Sequence, residues 1–123
     1  MKESDLPLVY SCSGCSNLAQ LANQLALDLD QTKIAEMSCI AGLGGNIKPL
    51  IRKAKSGQKI LALDGCPLHC VKQTLKRHEL EPKWHFTFTE LGLKKRPHEL
   101  FTSFEFQQVK NTVLEKIHHD LNN

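Results

Sequence analysis

Short apolar runs alternate with helix-period segments along this chain, and that alternation constrains the fold more than any single residue does. Leu6-Pro-Leu-Val-Tyr10 reads as a first strand. Leu18, Leu21, Ala22, Leu25, Ala26 and Leu29 then recur at helical spacing, behind Ser16, whose hydroxyl suits an N-cap. A second strand over 34–40 is interrupted by Glu36. A helix through Ile47, Leu50, Ile51 and Ala54 follows, with Asn46 as its cap and Ser56-Gly57 as its stop. Lys59-Ile-Leu-Ala-Leu-Asp64 is apolar on both faces, as a central parallel strand requires.

Pro67 suits the first turn of the next helix, where a missing N–H costs nothing. Trp84-His-Phe-Thr-Phe88 alternates, with three aromatics on one face and His85 and Thr87 on the other. That pattern predicts a half-buried strand at or near an edge. After a polar loop around Pro97, a helix over about 105–121 carries Val109, Val113, Leu114 and Ile117 on one face. The order βαβαβαβ, then a helix, predicts an α/β fold: a three-layer α/β/α sandwich with a small, mainly parallel central sheet. A length of 123 residues fits a single cysteine-rich domain.

The five cysteines fall where strands hand over to helices. Cys12 and Cys15 lie in Tyr10-Ser-Cys-Ser-Gly-Cys-Ser16, Cys39 opens Cys39-Ile-Ala-Gly-Leu-Gly-Gly45, and Cys66 and Cys70 lie in Asp64-Gly-Cys-Pro-Leu-His-Cys70. In a parallel sheet these junctions share the carboxyl edge, so thiols distant in sequence can converge there. Cys12-x-x-Cys15 is a chelating turn, and Gly14 lets the backbone fold back beneath a metal. If one helix carries Cys66 and Cys70, their Cβ atoms are roughly 5–6 Å apart. Rotamer choice can then bring the sulfurs to the separation of about 3.8 Å that tetrahedral zinc needs.

Cys12, Cys15, Cys39, Cys66 and Cys70 are therefore the candidate metal ligands, with zinc as the cofactor. The first-choice set is Cys12, Cys15, Cys39 and Cys66, leaving Cys70 as the exchangeable thiol. Helix N-termini near Ser16, Asn46 and Pro67 would stabilise anionic sulfur. A closed four-thiolate site favours a structural, sensing or metal-handling role. The same field suits two alternatives: a thiol or persulfide redox or sulfur-transfer protein using Cys66, and an iron–sulfur protein.

Asp64 reads as a ligand, a hydrogen-bond acceptor behind the ligands, or a cap of its turn. His69, between two cysteines, is a further candidate ligand whose helical position points it away from them. Gly42-Leu-Gly-Gly45 fails the dinucleotide fingerprint, because its third glycine position holds Ile47, and reads as a loop.

A net charge of +3 is too mild to indicate nucleic acid, and Lys94-Lys95-Arg96 reads as a solvated turn. No run approaches the roughly 18 apolar residues of a membrane helix, and the polar N-terminus has no signal-peptide core. The expected location is cytoplasmic, where clustered thiols read as metal-binding or redox-active rather than as disulfides. The odd cysteine count agrees.

Taken together, Cys12-Ser-Gly-Cys15-Ser16, Ala35-Glu-Met-Ser-Cys39-Ile-Ala-Gly-Leu-Gly-Gly45 and Asp64-Gly-Cys-Pro-Leu-His-Cys70 resemble the DGC-domain family of small prokaryotic proteins. The family takes its name from the triplet found here as Asp64-Gly65-Cys66. The resemblance covers roughly residues 8–95 and implies a cysteine-bound zinc; it does not supply a reaction.

Overall fold

The computed structural model describes residues 5–121. Its core is a four-stranded sheet in the order β2-β1-β3-β4, built from β1 (Leu8–Ser11), β2 (Glu36–Met37), β3 (Ile60–Asp64) and β4 (Trp84–Thr87). Every pairing is parallel. Leu8 is opposite both Glu36 and Ile60, and Leu61 is opposite Trp84. β3 is central and fully buried, while β4 lies at an edge, as their patterns predict.

Helix α1 (Asn17–Gln31) crosses from β1 to β2. Its six predicted apolar residues are all buried, each leucine contributing about 1.5–3 kcal/mol of transfer free energy. Ser16 caps it, its hydroxyl accepting from the Ala19 N–H at 3.1 Å. Helices α2 (Ile40–Gly44), α3 (Lys48–Ala54) and α4 (Cys70–Arg77) serve the crossovers that run the opposite way across the sheet. Right-handed crossovers therefore put them on the other face from α1. A 3₁₀ turn (Phe88–Leu91) leads from β4 toward α5 (Ser103–Leu121), which packs on α1. The result is the expected α/β architecture with a small, wholly parallel sheet.

Three local expectations are corrected. Residues 42–44 of the glycine segment are helical, within α2, and Gly42 approaches Leu50 so closely that a β-carbon would collide with its side chain. Asn46 is not a cap: it adopts φ +59° between α2 and α3, and its side-chain oxygen accepts from Arg77. Pro67 lies before α4, which starts at Cys70 after His69 takes a left-handed conformation, φ +53°. Cys66 and Cys70 are thus not one turn apart on one helix.

The aromatic strand is also modified. Trp84 and Phe88 are buried and Phe86 is half-buried. Thr87 is buried as well, and its hydroxyl meets the His69 ring nitrogen at 3.0 Å.

Candidate functional site

The chain direction across the sheet reverses between β1 and β3. Ligands bind at such a reversal in open parallel sheets, in the crevice beyond the carboxyl ends of the strands. The turns leaving β1 and β3 here are Cys12–Ser16 and Gly65–His69. Between them is a pocket of about 300 Å³ lined by Cys12, Cys15, Cys66 and Cys70, with Lys95 and Pro97 on its far side. Two sequence-distant turns therefore bring four of the five thiols to one place.

Cys39 is not on this pocket. It precedes α2 at the end of the edge strand β2, two strands from β3. Strands are about 4.8 Å apart, which sets that end about 10 Å from the end of β3.

The four thiols are not equivalent. Cys12 is buried, Cys66 partly so, and Cys15 and Cys70 are exposed. The Gly65 N–H donates to the Cys12 sulfur at 3.2 Å. Burial pushes the Cys12 thiol up to about 11; the Gly65 hydrogen bond opposes this, and nearby Asp64, Cys70 and Cys66 add to it. Among the described residues, no three His, Cys, Asp or Glu side chains stand as a group that could hold a metal ion.

Glycine is required at two points in these turns. Gly14 has φ +152°, a conformation side chains rarely allow. A β-carbon on Gly65 would lie 2.9 Å from the Leu18 carbonyl carbon, so the β3–α4 turn can touch α1 only without one.

Asp64 lies beneath the pocket, almost wholly buried. Its carboxylate accepts from the Val71 and Lys72 N–H groups at 2.8 and 3.2 Å, satisfying the free amides at the start of α4. It also meets His85 Nε2 at 2.8 Å. Of the three sequence readings, Asp64 fits the cap. The His69 ring is likewise engaged, with Thr87 and edge-on against His85 at 5.0 Å.

The basic run leaves Lys94 and Lys95 exposed, as expected of a solvated turn, and its backbone also forms a strap beside the pocket. Asn17, fully buried, accepts from the Arg96 N–H at 2.6 Å and donates to the Lys94 carbonyl at 3.0 Å. Pro97 bridges to Ser16, and the His98 N–H donates to the Cys15 carbonyl. The Arg96 guanidinium makes two bonds to Glu105, at 2.8 and 2.9 Å. Those bonds hold the Glu105 carboxyl down at about 2. Glu105 also exchanges hydrogen bonds with Thr102, a capping box for α5.

Asn17 carries no local signal that would single it out. Thr102-x-x-Glu105 is a visible capping motif in the sequence.

No helix among the described residues is long and apolar enough to cross a membrane. The chain is similar to the anaerobic and virulence modulator AnvM of Pseudomonas aeruginosa. The two are 66% identical over 94 residues, covering 76% of this chain and 72% of that protein. No solved structure matches. The DGC domain model matches residues 8–113, past the 8–95 span of the cysteine motifs. That stretch takes in the whole sheet, the cysteine pocket, the strap and the first part of α5, and the chain belongs to the DGC-domain family.

Proposed function

We propose that this protein binds zinc through the thiolates of Cys12, Cys15, Cys66 and Cys70, in a metal-sensing or metal-handling role. The observation that carries this reading is that these four cysteines line one pocket at the point where the sheet changes direction. The donor set fits the ion, because four soft thiolates are a usual closed site for zinc.

The surroundings fit as well. Gly14 and Gly65 keep the backbone slim at both turns, and the Gly65 N–H already points at the Cys12 sulfur, where it stabilises negative charge. Completing the set requires exposed Cys15 and Cys70 to turn inward. Placement favours Cys70 over Cys39 as the fourth ligand and leaves Cys39 as the spare thiol.

A thiolate site loses its metal when its sulfurs are oxidised. Occupancy would therefore follow redox conditions, a behaviour in keeping with the anaerobic modulation in the name of the Pseudomonas relative.

Elemental analysis of oxygen-free, untagged protein, with thiols counted on the same sample, tests the proposal. The expected result is about one zinc per chain, with Cys39 reactive and the other thiols protected until a chelator is added. Absence of metal together with free reaction at every cysteine would overturn it and leave thiol or persulfide chemistry at Cys66. A brown protein with visible absorbance would replace zinc by an iron–sulfur cluster.

A further inference from the structure

We infer that Lys95 is the charge-balancing cation of the thiolate site, and that the strap over 94–98 serves to present it. This inference rests on the metal-site reading above. Four thiolates around a divalent cation leave an excess of about two negative charges, which is costly beside a partly buried pocket wall. The Lys95 ammonium stands 3.5 Å from the Cys66 sulfur, on the pocket that the other three thiols also line. Ion pairs among the described residues engage Lys53, Lys110, Lys116 and Arg96, and none involves Lys95. Its polar partner is the Cys66 sulfur.

A lysine on a free loop would lose too much conformational freedom to serve this purpose. Lys95 is not on a free loop. The single amide of Asn17 holds the backbone of both its neighbours, taking the Lys94 carbonyl and the Arg96 N–H. The Asn17 N–H binds the Arg96 carbonyl as well, at 3.1 Å. The Arg96–Glu105 pair then fastens the strap to the start of α5. With residues 94 and 96 fixed to α1, the lysine stem between them needs only its own rotamers ordered. Lys95 is thus a positioning residue that acts on the metal through Cys66, and removal of such outer partners typically lowers metal affinity about 10–100-fold.

The test is zinc affinity of the full chain by competition with a chromophoric chelator, at low and high salt, for wild type and for Lys95→Met, Lys95→Arg and Lys95→Glu. Lys95 is exposed, so these variants keep the fold, and thermal melting of the metal-free forms verifies it. Lys95→Met should weaken binding about 10–100-fold, Lys95→Glu further, and Lys95→Arg should restore it to within a few-fold. The differences should shrink at high salt, as an exposed charge is screened. Wild-type affinity in Lys95→Met, or Lys95→Arg as weak as Lys95→Met, would overturn the role of Lys95 while leaving the metal site standing. No zinc bound by wild type would overturn both readings.

Discussion

Asp64 Oδ2 lies 2.8 Å from His85 Nε2, and the same carboxylate collects two backbone amides at the start of α4. One buried acid therefore links the end of β3, the first turn of α4 and the edge strand β4. Both of its oxygens are occupied by partners within the fold. The aspartate of the Asp64-Gly65-Cys66 triplet thus places Cys66 and Cys70 by holding the turn between them.

Asp64→Ala is expected to destabilise the protein by about 3 kcal/mol, because it leaves helix amides and a ring nitrogen without their acceptor. His85→Ala should cost less, about 1 kcal/mol, since its ring is partly exposed. Urea unfolding of the metal-free proteins measures both. Equal losses for the two variants would show that the cap contributes nothing beyond the histidine contact.

Gly65→Ala puts a β-carbon against the backbone of Leu18, which cannot yield as a flexible side chain can. A loss of about 1–3 kcal/mol is expected. The Gly65 N–H should also move away from the Cys12 sulfur. Slower alkylation of Cys12 in this variant would report that shift, because its thiolate loses the hydrogen bond that stabilises it, and an unchanged rate with unchanged stability would contradict the close approach.

In metal-free protein, Cys12 should be the slowest of the pocket thiols to alkylate at pH 8, because it is buried and held as the neutral thiol. Its titration is raised from 9.0 to about 11. The folded state therefore keeps a proton that the unfolded chain has lost, so this contribution to stability is full below pH 9 and is lost as pH rises through about 11. Site-resolved mass spectrometry against time checks the order of reaction. Cys12 reacting as fast as Cys15 would refute it.

Glu105 gives the opposite pH dependence. Its carboxyl is held at about 2 against an ordinary 4.5, mainly by Arg96. The stabilisation it provides is present above pH 4.5 and is lost as pH falls through about 2. Glu105→Gln, which keeps the capping box, should cost about 2 kcal/mol at neutral pH through the weakened Arg96 pair, and should flatten the acid limb of the stability curve. Wild-type acid sensitivity in the variant would mean that other carboxylates dominate.

Much of this molecule was legible where local rules decide. Ser16 and the apolar spacing of α1 describe that helix correctly, and the doubly apolar run of β3 correctly marks a central strand. Reading failed where a distant group settles a local choice. Pro67 invites an early start for α4, yet the helix begins at Cys70, where Asp64 can take the amides and the His69 ring can reach Thr87. The helical i, i+4 geometry assumed for Cys66 and Cys70 fell with it.

Grouping Cys39 with the other thiols followed from treating every strand end as equally near. Strand order matters, and it puts β2 outside β1. The charged run at 94–96 gives no sign of being a strap, because its partner Asn17 lies far away in sequence.

The pairing of β1 with β3 also has a kinetic consequence. No tight hairpin can make this parallel contact; the chain must first close a long loop, and contacts of that kind form slowly. Until they do, Cys12 and Cys15 are remote from Cys66 and Cys70, and none has the shelter of the native turns. A folding chain therefore passes through an interval in which all its sulfurs are open to oxidation. Recovery of native protein on refolding will depend on how reducing the solution is during that interval.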